Sequence, residues 1–284
     1  LALLEHREPE ALQEFDTLVN KFPYDTFADE SYYHMGMIHY RAQRFKEART
    51  HFQIVYQLYA DSKLRADAYH MSGECSMALG DFGNAQYAFA QVRKLGASSD
   101  ILAASAFQEG IALYHLGRFK SSASRIDEFI KTYPNDPRIA EAYAWNGEAL
   151  FQDDRFDEAE DAFAAALRLS SKTSRREEIQ YGLAWSYFEQ KKFQQAANAF
   201  DKFASDFPSS ERAADAMLRK ADCYFFLGKY DQASTLYASL SSQSKNSRQV
   251  EYAGFQLAMS YIQRGETARG IEQLRAFQIG RAHV

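Results

Sequence analysis

Laid over itself at a shift of 37 residues, the chain brings four columns into line without slipping. A small-residue column reads Gly36, Gly73, Gly110, Gly147, Ala184, Ala221 and Ala258. Nine residues on, an aromatic column reads Phe45, Phe82, Phe119, Phe156, Phe193 and Tyr230, failing only at Thr267. Three further on stand Ala48, Ala85, Ser122, Ala159, Ala196, Ala233 and Gly270, followed after four more by Phe52, Phe89, Ile126, Phe163, Phe200, Tyr237 and Leu274. A fixed period of this size means that no unit buries its apolar face alone; stacked neighbours complete the core between them.

Within each period, apolar and small residues recur at three- and four-residue spacing in two blocks, the pattern of two amphipathic helices. The turns between the blocks read ALGD (78–81), HLGR (115–118) and QDDR (152–155). Glycine tolerates the left-handed conformation that ends a helix, and Asp154, in the same place, is among the few other residue types that do. Between periods lie KFP (21–23), TYP (132–134) and DFP (206–208), where proline stops one hairpin and fits the start of the next. Seven helix-turn-helix hairpins are expected, starting near residues 27, 64, 101, 138, 175, 212 and 249. Residues 1–23 form a partial repeat, with Ala11 and Phe15 in the columns of a second helix, so the chain is expected to begin inside a repeat. The final QIGRAHV breaks the pattern, and residues 279–284 are read as a non-native tail on a single array over 1–278. The Ser-rich SLSSQSKNS (239–247) is the expected hinge, having little apolar content to pack.

The segment AEAYAWNGEALFQDDRFDEAEDAFAAALRL (140–169) resembles a tetratricopeptide repeat, with Gly147, Phe156, Ala159, Phe163 and Ala166 at the family's offsets. The resemblance covers nearly the whole chain and implies an all-α, right-handed, superhelical α-solenoid. The 37-residue spacing with Phe-Pro or Tyr-Pro junctions is similar to the repeats of bacterial cell-envelope proteins, namely outer-membrane assembly lipoproteins and coordinators of the Tol-Pal system. That likeness implies the periplasm or the outer membrane in preference to the cytoplasm.

Several function classes are excluded or left without support. A net charge of −5 with no basic stripe argues against a nucleic-acid partner. No apolar run approaches the roughly 18 residues that span a bilayer. No metalloprotease helix motif, phosphate-binding loop, nucleophile elbow or dinucleotide fingerprint occurs, so no catalytic residue, cofactor or metal is expected. His34 and His39 are five apart and face different sides of one helix. Cys75 and Cys223 are four periods apart and are expected as buried free thiols. The most acidic stretch, residues 143–163, holds seven carboxylates, of which Asp153 and Asp154 suit a turn and Asp157 and Glu158 the first turn of a helix. Only Glu148 among them is expected to face a partner.

The resemblance implies that first helices line a concave groove, which allows its rows to be named. The middle row reads Met37, Glu74, Ile111, Glu148, Trp185, Asp222 and Met259. The outer row is Tyr40, Met77, Tyr114, Phe151, Phe188, Phe225 and Ile262, and the first row is Tyr33, His70, Phe107, Ala144, Tyr181, Leu218 and Phe255. Further acids open the first helices at Glu30, Asp67, Glu141, Glu178 and Asp215. Outer-row rings and first-turn acids also serve as scaffold; Trp185, Met37 and Met259 are the expected ligand contacts, since exposed aromatic and Met side chains tend to mark contact surfaces. The family's Lys and Asn carboxylate clamp is missing from these rows. The expected partner is therefore a protein or peptide segment with apolar anchors and some Lys or Arg, held by a non-catalytic scaffold. Two alternatives stay open: a regulatory arm of a larger enzyme, or an element that assembles with copies of itself. The sequence leaves the oligomeric state undecided.

Overall fold

The computed structural model describes residues 8–23, 25, 27–169, 175–243 and 247–281. Among these, fifteen helices and no strand occur, which confirms the all-α expectation. Helix α1 is Glu8–Lys21, and seven hairpins follow: α2 Ala28–Arg41 with α3 Phe45–Leu58, α4 Arg65–Ala78 with α5 Phe82–Val92, α6 Ser99–His115 with α7 Phe119–Thr132, and α8 Ile139–Gln152 with α9 Phe156–Leu169. Then come α10 Arg176–Glu189 with α11 Phe193–Asp206, α12 Ala213–Phe226 with α13 Tyr230–Gln243, and α14 Ser247–Gln263 with α15 Thr267–Arg281. Five first helices begin one residue after the expected position; α6 and α14 are longer and begin two residues before it. The chain divides into two compact units, Leu1–Ala149 and Leu150–Val284. The Ser-rich segment falls partly on residues 244–246, outside the described residues, as do residues 1–7 and 282–284.

The period fixes the core of each unit. In unit 1, Phe52, Phe89 and Ile126 are at most 1% exposed, and in unit 2 the same column supplies Phe163, Phe200 and Tyr237 at 0%. Against each large side chain lies the small-residue column of the first helix. A Cβ on Gly73 would sit 2.5 Å from Phe89 Cε1, so the ring packs directly onto the helix backbone. In unit 2 the small column is alanine, and Ala184, Ala221 and Ala258 are wholly buried.

The turns are uniform to a degree that the sequence does not suggest. One residue in every turn has a left-handed backbone: Gln43, Gly80, Gly117, Asp154, Lys191, Gly228 and Gly265, all with φ between 57° and 85°. The next amide closes the helix end by donating to the carbonyl five residues back, as from Arg44 to His39 at 2.9 Å and from Lys192 to Tyr187 at 2.9 Å. The acidic stretch is spent on the same architecture. Asp154 is the left-handed residue of its turn, Arg155 forks onto Glu158 at 2.7 and 2.5 Å, and Glu160 pairs with Lys192 at 2.6 Å. Cys75 and Cys223 are free, buried thiols.

Candidate functional site

The outer row is tied to the turns. Tyr40 meets Phe45, Tyr114 meets Phe119, Phe151 meets Phe156, Phe188 meets Phe193 and Phe225 meets Tyr230, each pair edge-to-face with ring centres 5.2–5.6 Å apart. Each such pair joins the last turn of a first helix to the opening of the second. These five rings are half-buried and brace the hairpin while leaving one edge to solvent.

The first row leans inward. Tyr33 edges onto Phe52 at 5.4 Å, and burial, with the Asp67 charge second, pushes its hydroxyl up to about 12. Phe107 is 3% exposed and lies beside Phe129, Leu218 is also buried, and Tyr181 stands against Phe200 and Phe203. Phe255, on α14, is the exception at 47% exposed. In the middle row, Met37, Glu148, Trp185 and Met259 are half-buried and Ile111 is buried.

In unit 1 the rows converge on a cleft formed by α4, α6 and the residues at the start of α8. It is lined by His70, Glu74, Phe107 and Ile111, all expected, and by Ala104, Gln108, Arg138, Glu141 and Trp145. His70 Nδ1 and Ser105 Oγ are hydrogen-bonded at 2.9 Å, and burial, reinforced by the Arg138 charge, pushes the imidazole down to about 4. The Gln108 amide hydrogen-bonds the Glu74 carboxylate, whose pKa is raised by burial. Arg138 is committed elsewhere: it forks onto Asp136 at 2.8 and 2.7 Å and lies 5.9 Å over the Phe107 ring. Trp145 receives the edges of Tyr114 at 5.2 Å and His115 at 5.7 Å.

In unit 2 the corresponding face is organised around Arg219, which lies outside the three expected rows. Its guanidinium lies 5.4 Å over Trp185 of α10 and 5.5 Å over Tyr252 of α14. It donates to Asp222 Oδ2 at 2.8 Å and reaches Asp215 Oδ1 at 3.4 Å. Asp222 is only 2% exposed, and its other oxygen accepts from the Tyr237 hydroxyl at 2.6 Å and the Tyr252 hydroxyl at 3.1 Å. Burial pushes the Asp222 carboxyl up, against the hydrogen bond from Tyr237 and the Arg219 charge. The expected groove acid is thus enclosed by its neighbours, while Asp215 also accepts a hydrogen bond from Tyr181. Among the described residues, no group of three or more His, Cys, Asp or Glu is arranged to hold a metal ion.

Three sequence profiles described as tetratricopeptide repeat match the chain, over residues 30–62, 107–172 and 188–256, which together exceed half its length. The chain belongs to the tetratricopeptide repeat family. Solved structures agree on the fold. The C-terminal part of a tetratricopeptide repeat-containing protein from Cytophaga hutchinsonii is similar with a TM-score of 0.63 and 15% identity, covering 86% of this chain and 95% of that one. YrrB, described as a tetratricopeptide repeat protein with an unusual peptide-binding site, gives 0.59 at 18% identity over 71% of this chain and 96% of its own. MamA from Desulfovibrio magneticus RS-1 gives 0.54 at 18% identity over 64% and 97%. No curated protein sequence matches. No described helix of this tetratricopeptide repeat protein is long and apolar enough to cross a membrane.

Against the repeat register, the residues that the rows missed are intelligible. Arg219 falls between the first and middle rows of α12, and Trp145 two residues before the small column of α8. A signal for Arg219 was present: it stands four residues after Asp215 and three before Asp222, on one helical face with both acids.

Proposed function

We propose that this tetratricopeptide repeat chain is a non-catalytic scaffold that holds an extended or helical segment of a partner protein along the face of its first helices. The observation that carries this reading is the half-open aromatic surface of unit 2, where Trp185 and Phe188 are half-buried, Tyr252 is exposed and Phe255 is 47% exposed. Folding does not require Phe255 to stay open, whereas apolar anchors of a ligand would cover it at a gain of roughly 25 cal/mol per Å². Basic residues of the partner belong with unit 1, because in unit 2 Asp215 and Asp222 already have Arg219. The array is taken as unbroken over residues 1–278, with an envelope setting as the junctions imply.

The reading is tested by selecting binders from a random displayed-peptide library on the whole chain. Trp185→Ala with Phe188→Ala is expected to weaken the selected peptides at least about tenfold, one large aromatic anchor being worth that much. The exposed second-helix change Asp157→Ala serves as control. Peptides that bind the double variant as well as the parent, at unchanged helix content, would sink the groove assignment. Localising the tagged full-length protein by fractionation checks the envelope setting.

A further inference from the structure

Glu74 and Asp222 are column mates four periods apart, yet they are treated differently. Asp222 is closed by Arg219 three residues before it, whereas the residue three before Glu74 is Met71. Among the described residues no basic group comes within ion-pair distance of Glu74; its hydrogen-bond partner is the amide of Gln108, and the Arg138 charge acts on it only from farther off. The cation beside it, Arg138, is held by two hydrogen bonds to Asp136. His70 is hydrogen-bonded to Ser105 and neutral at physiological pH, so it supplies no charge. Glu141, exposed in the first turn of α8, adds a second carboxylate at the mouth. The cleft of α4, α6 and α8 therefore carries two carboxylates, Glu74 and Glu141, against one cation, Arg138, which Asp136 already holds, between walls that include Trp145, Phe107 and Ile111.

We propose that this cleft receives the guanidinium of an arginine in the bound segment, an inference that rests on the groove reading above. The chain itself shows what such a setting holds, since unit 2 places its own guanidinium between Trp185 and Tyr252 and against a middle-row carboxylate. In unit 1 the acid, the amide and the rings are present, but the one guanidinium at the cleft, that of Arg138, forks onto Asp136 and makes no hydrogen bond to Glu74. Arginine fits better than lysine for three physical reasons. Its plane stacks on aromatic faces, its hydration is weaker, and its fork can donate to the Glu74 carboxylate and the Gln108 carbonyl together. An ammonium would keep more of its water and make fewer directed bonds. The partner is thus a basic peptide segment in which one arginine sits between apolar anchors, with unit 1 reading the charge.

The experiment uses the whole chain and three acetylated, amidated five-residue peptides that carry arginine, lysine or the neutral isostere citrulline between two leucines. Binding is followed by the indole N–H resonance of Trp145, one of only two tryptophans, assigned with Trp145→Phe. The arginine peptide is expected to shift this resonance saturably and to bind about tenfold more tightly than the citrulline peptide, with lysine between them, a typical worth of one charge-assisted contact. Glu74→Gln is expected to bring arginine down to the citrulline level. Glu141→Gln, at an exposed position, is expected to lower it less, and it keeps the test available should the first variant fold poorly. Equal affinity for arginine and citrulline, or a Trp145 resonance unmoved by the arginine peptide, would overturn the cleft. The two readings fail separately. Library peptides that need Trp185 and Phe188 but are indifferent to arginine leave the groove standing and remove the cleft. An arginine-selective Trp145 response with no effect of the Trp185 and Phe188 changes leaves the cleft and removes the groove.

Discussion

In unit 2 the middle-row acid is Asp222, 2% exposed and bonded to Arg219, Tyr237 and Tyr252; in unit 1 its column mate Glu74, one of two middle-row acids there, is half-buried and bonded to an amide. The same repeat offset thus serves two ends. Where the helix supplies its own cation at i−3, the carboxylate becomes an internal fastener that ties α12 to α13 and α14. Where it supplies methionine instead, the carboxylate stays at an open cleft. Repeat architecture makes this possible because the columns that hold hairpins together are separate from those on the first-helix face, and the latter are free to be closed or left open.

The difference is broken most directly at Arg219. Arg219→Met gives unit 2 the residue that unit 1 has at Met71, and it leaves Asp222 buried among two tyrosine hydroxyls with no counter-charge. Removing one member of a buried pair costs about 3 kcal/mol, so a fall of that size in unfolding free energy is expected in a urea titration. A change within about 0.5 kcal/mol, typical of a surface position, would show that Arg219 fastens nothing.

A second, smaller difference lies in the small-residue column, glycine in unit 1 and alanine in unit 2. Gly73→Ala places a Cβ 2.5 Å from Phe89 Cε1 and 2.7 Å from Cζ, and that ring is 1% exposed with nowhere to retreat. Overpacking of this kind costs about 1–3 kcal/mol, more than the propensity gain of about 1 kcal/mol from replacing a helical glycine. Ala221→Gly in unit 2 is expected to lose about 1 kcal/mol from propensity and the vacated methyl. A stabilised Gly73→Ala protein would mean that the hairpins of unit 1 part more readily than their packing implies. The comparison is made by thermal melts of both variants.

These columns are also where the sequence was most legible. Phe52, Phe89, Ile126, Phe163, Phe200 and Tyr237 stand out because burial forces the same apolar volume at every period, and all six are at most 1% exposed. The turns were legible only where glycine or aspartate marks them. Gln43 and Lys191 take the same left-handed backbone, imposed by the hairpins on either side, although their side chains disfavour it. The first-helix face was legible as rows but not as contacts. Arg219 reaches Trp185 and Tyr252 across neighbouring hairpins, and which residue of a polar face leans over which ring is set by stacking geometry that periodicity does not record. Asp222 was expected at an open groove for the same reason, since nothing in its own helix announces that Tyr237 and Tyr252 close over it.

The smallest expected effect is a pH response that separates the units. His39, His51, His70 and His115 all lie in unit 1, and no histidine lies among the described residues of unit 2. Burial lowers all four pKa values, most clearly for His70, which stays neutral to about pH 4 against an ordinary value of 6.5. For His39 the Arg44 charge adds to burial and Glu47 opposes it; for His51 the stacked His39 ring adds and Asp16 opposes; for His70 Arg138 adds. Between pH 6.5 and 4 the unfolded chain therefore binds more protons than the folded one, and unit 1 loses stability as acid is added. Asp222 in unit 2 has the opposite sign, its raised pKa meaning that the folded state takes up a proton first; Asp67 and Glu74 in unit 1 are raised in the same sense, so the difference between the units rests on the four histidines. Hydrogen exchange, corrected for intrinsic rates, should show unit 1 amides losing protection before those of unit 2, with a melting shift of roughly 3 °C per kcal/mol lost. His70→Asn should flatten the unit 1 response, since an amide can still reach Ser105 but takes up no proton. Equal loss in both units, or earlier loss in unit 2, would mean that the histidines of α2, α3, α4 and α6 are hydrated in solution and set no difference between the two halves.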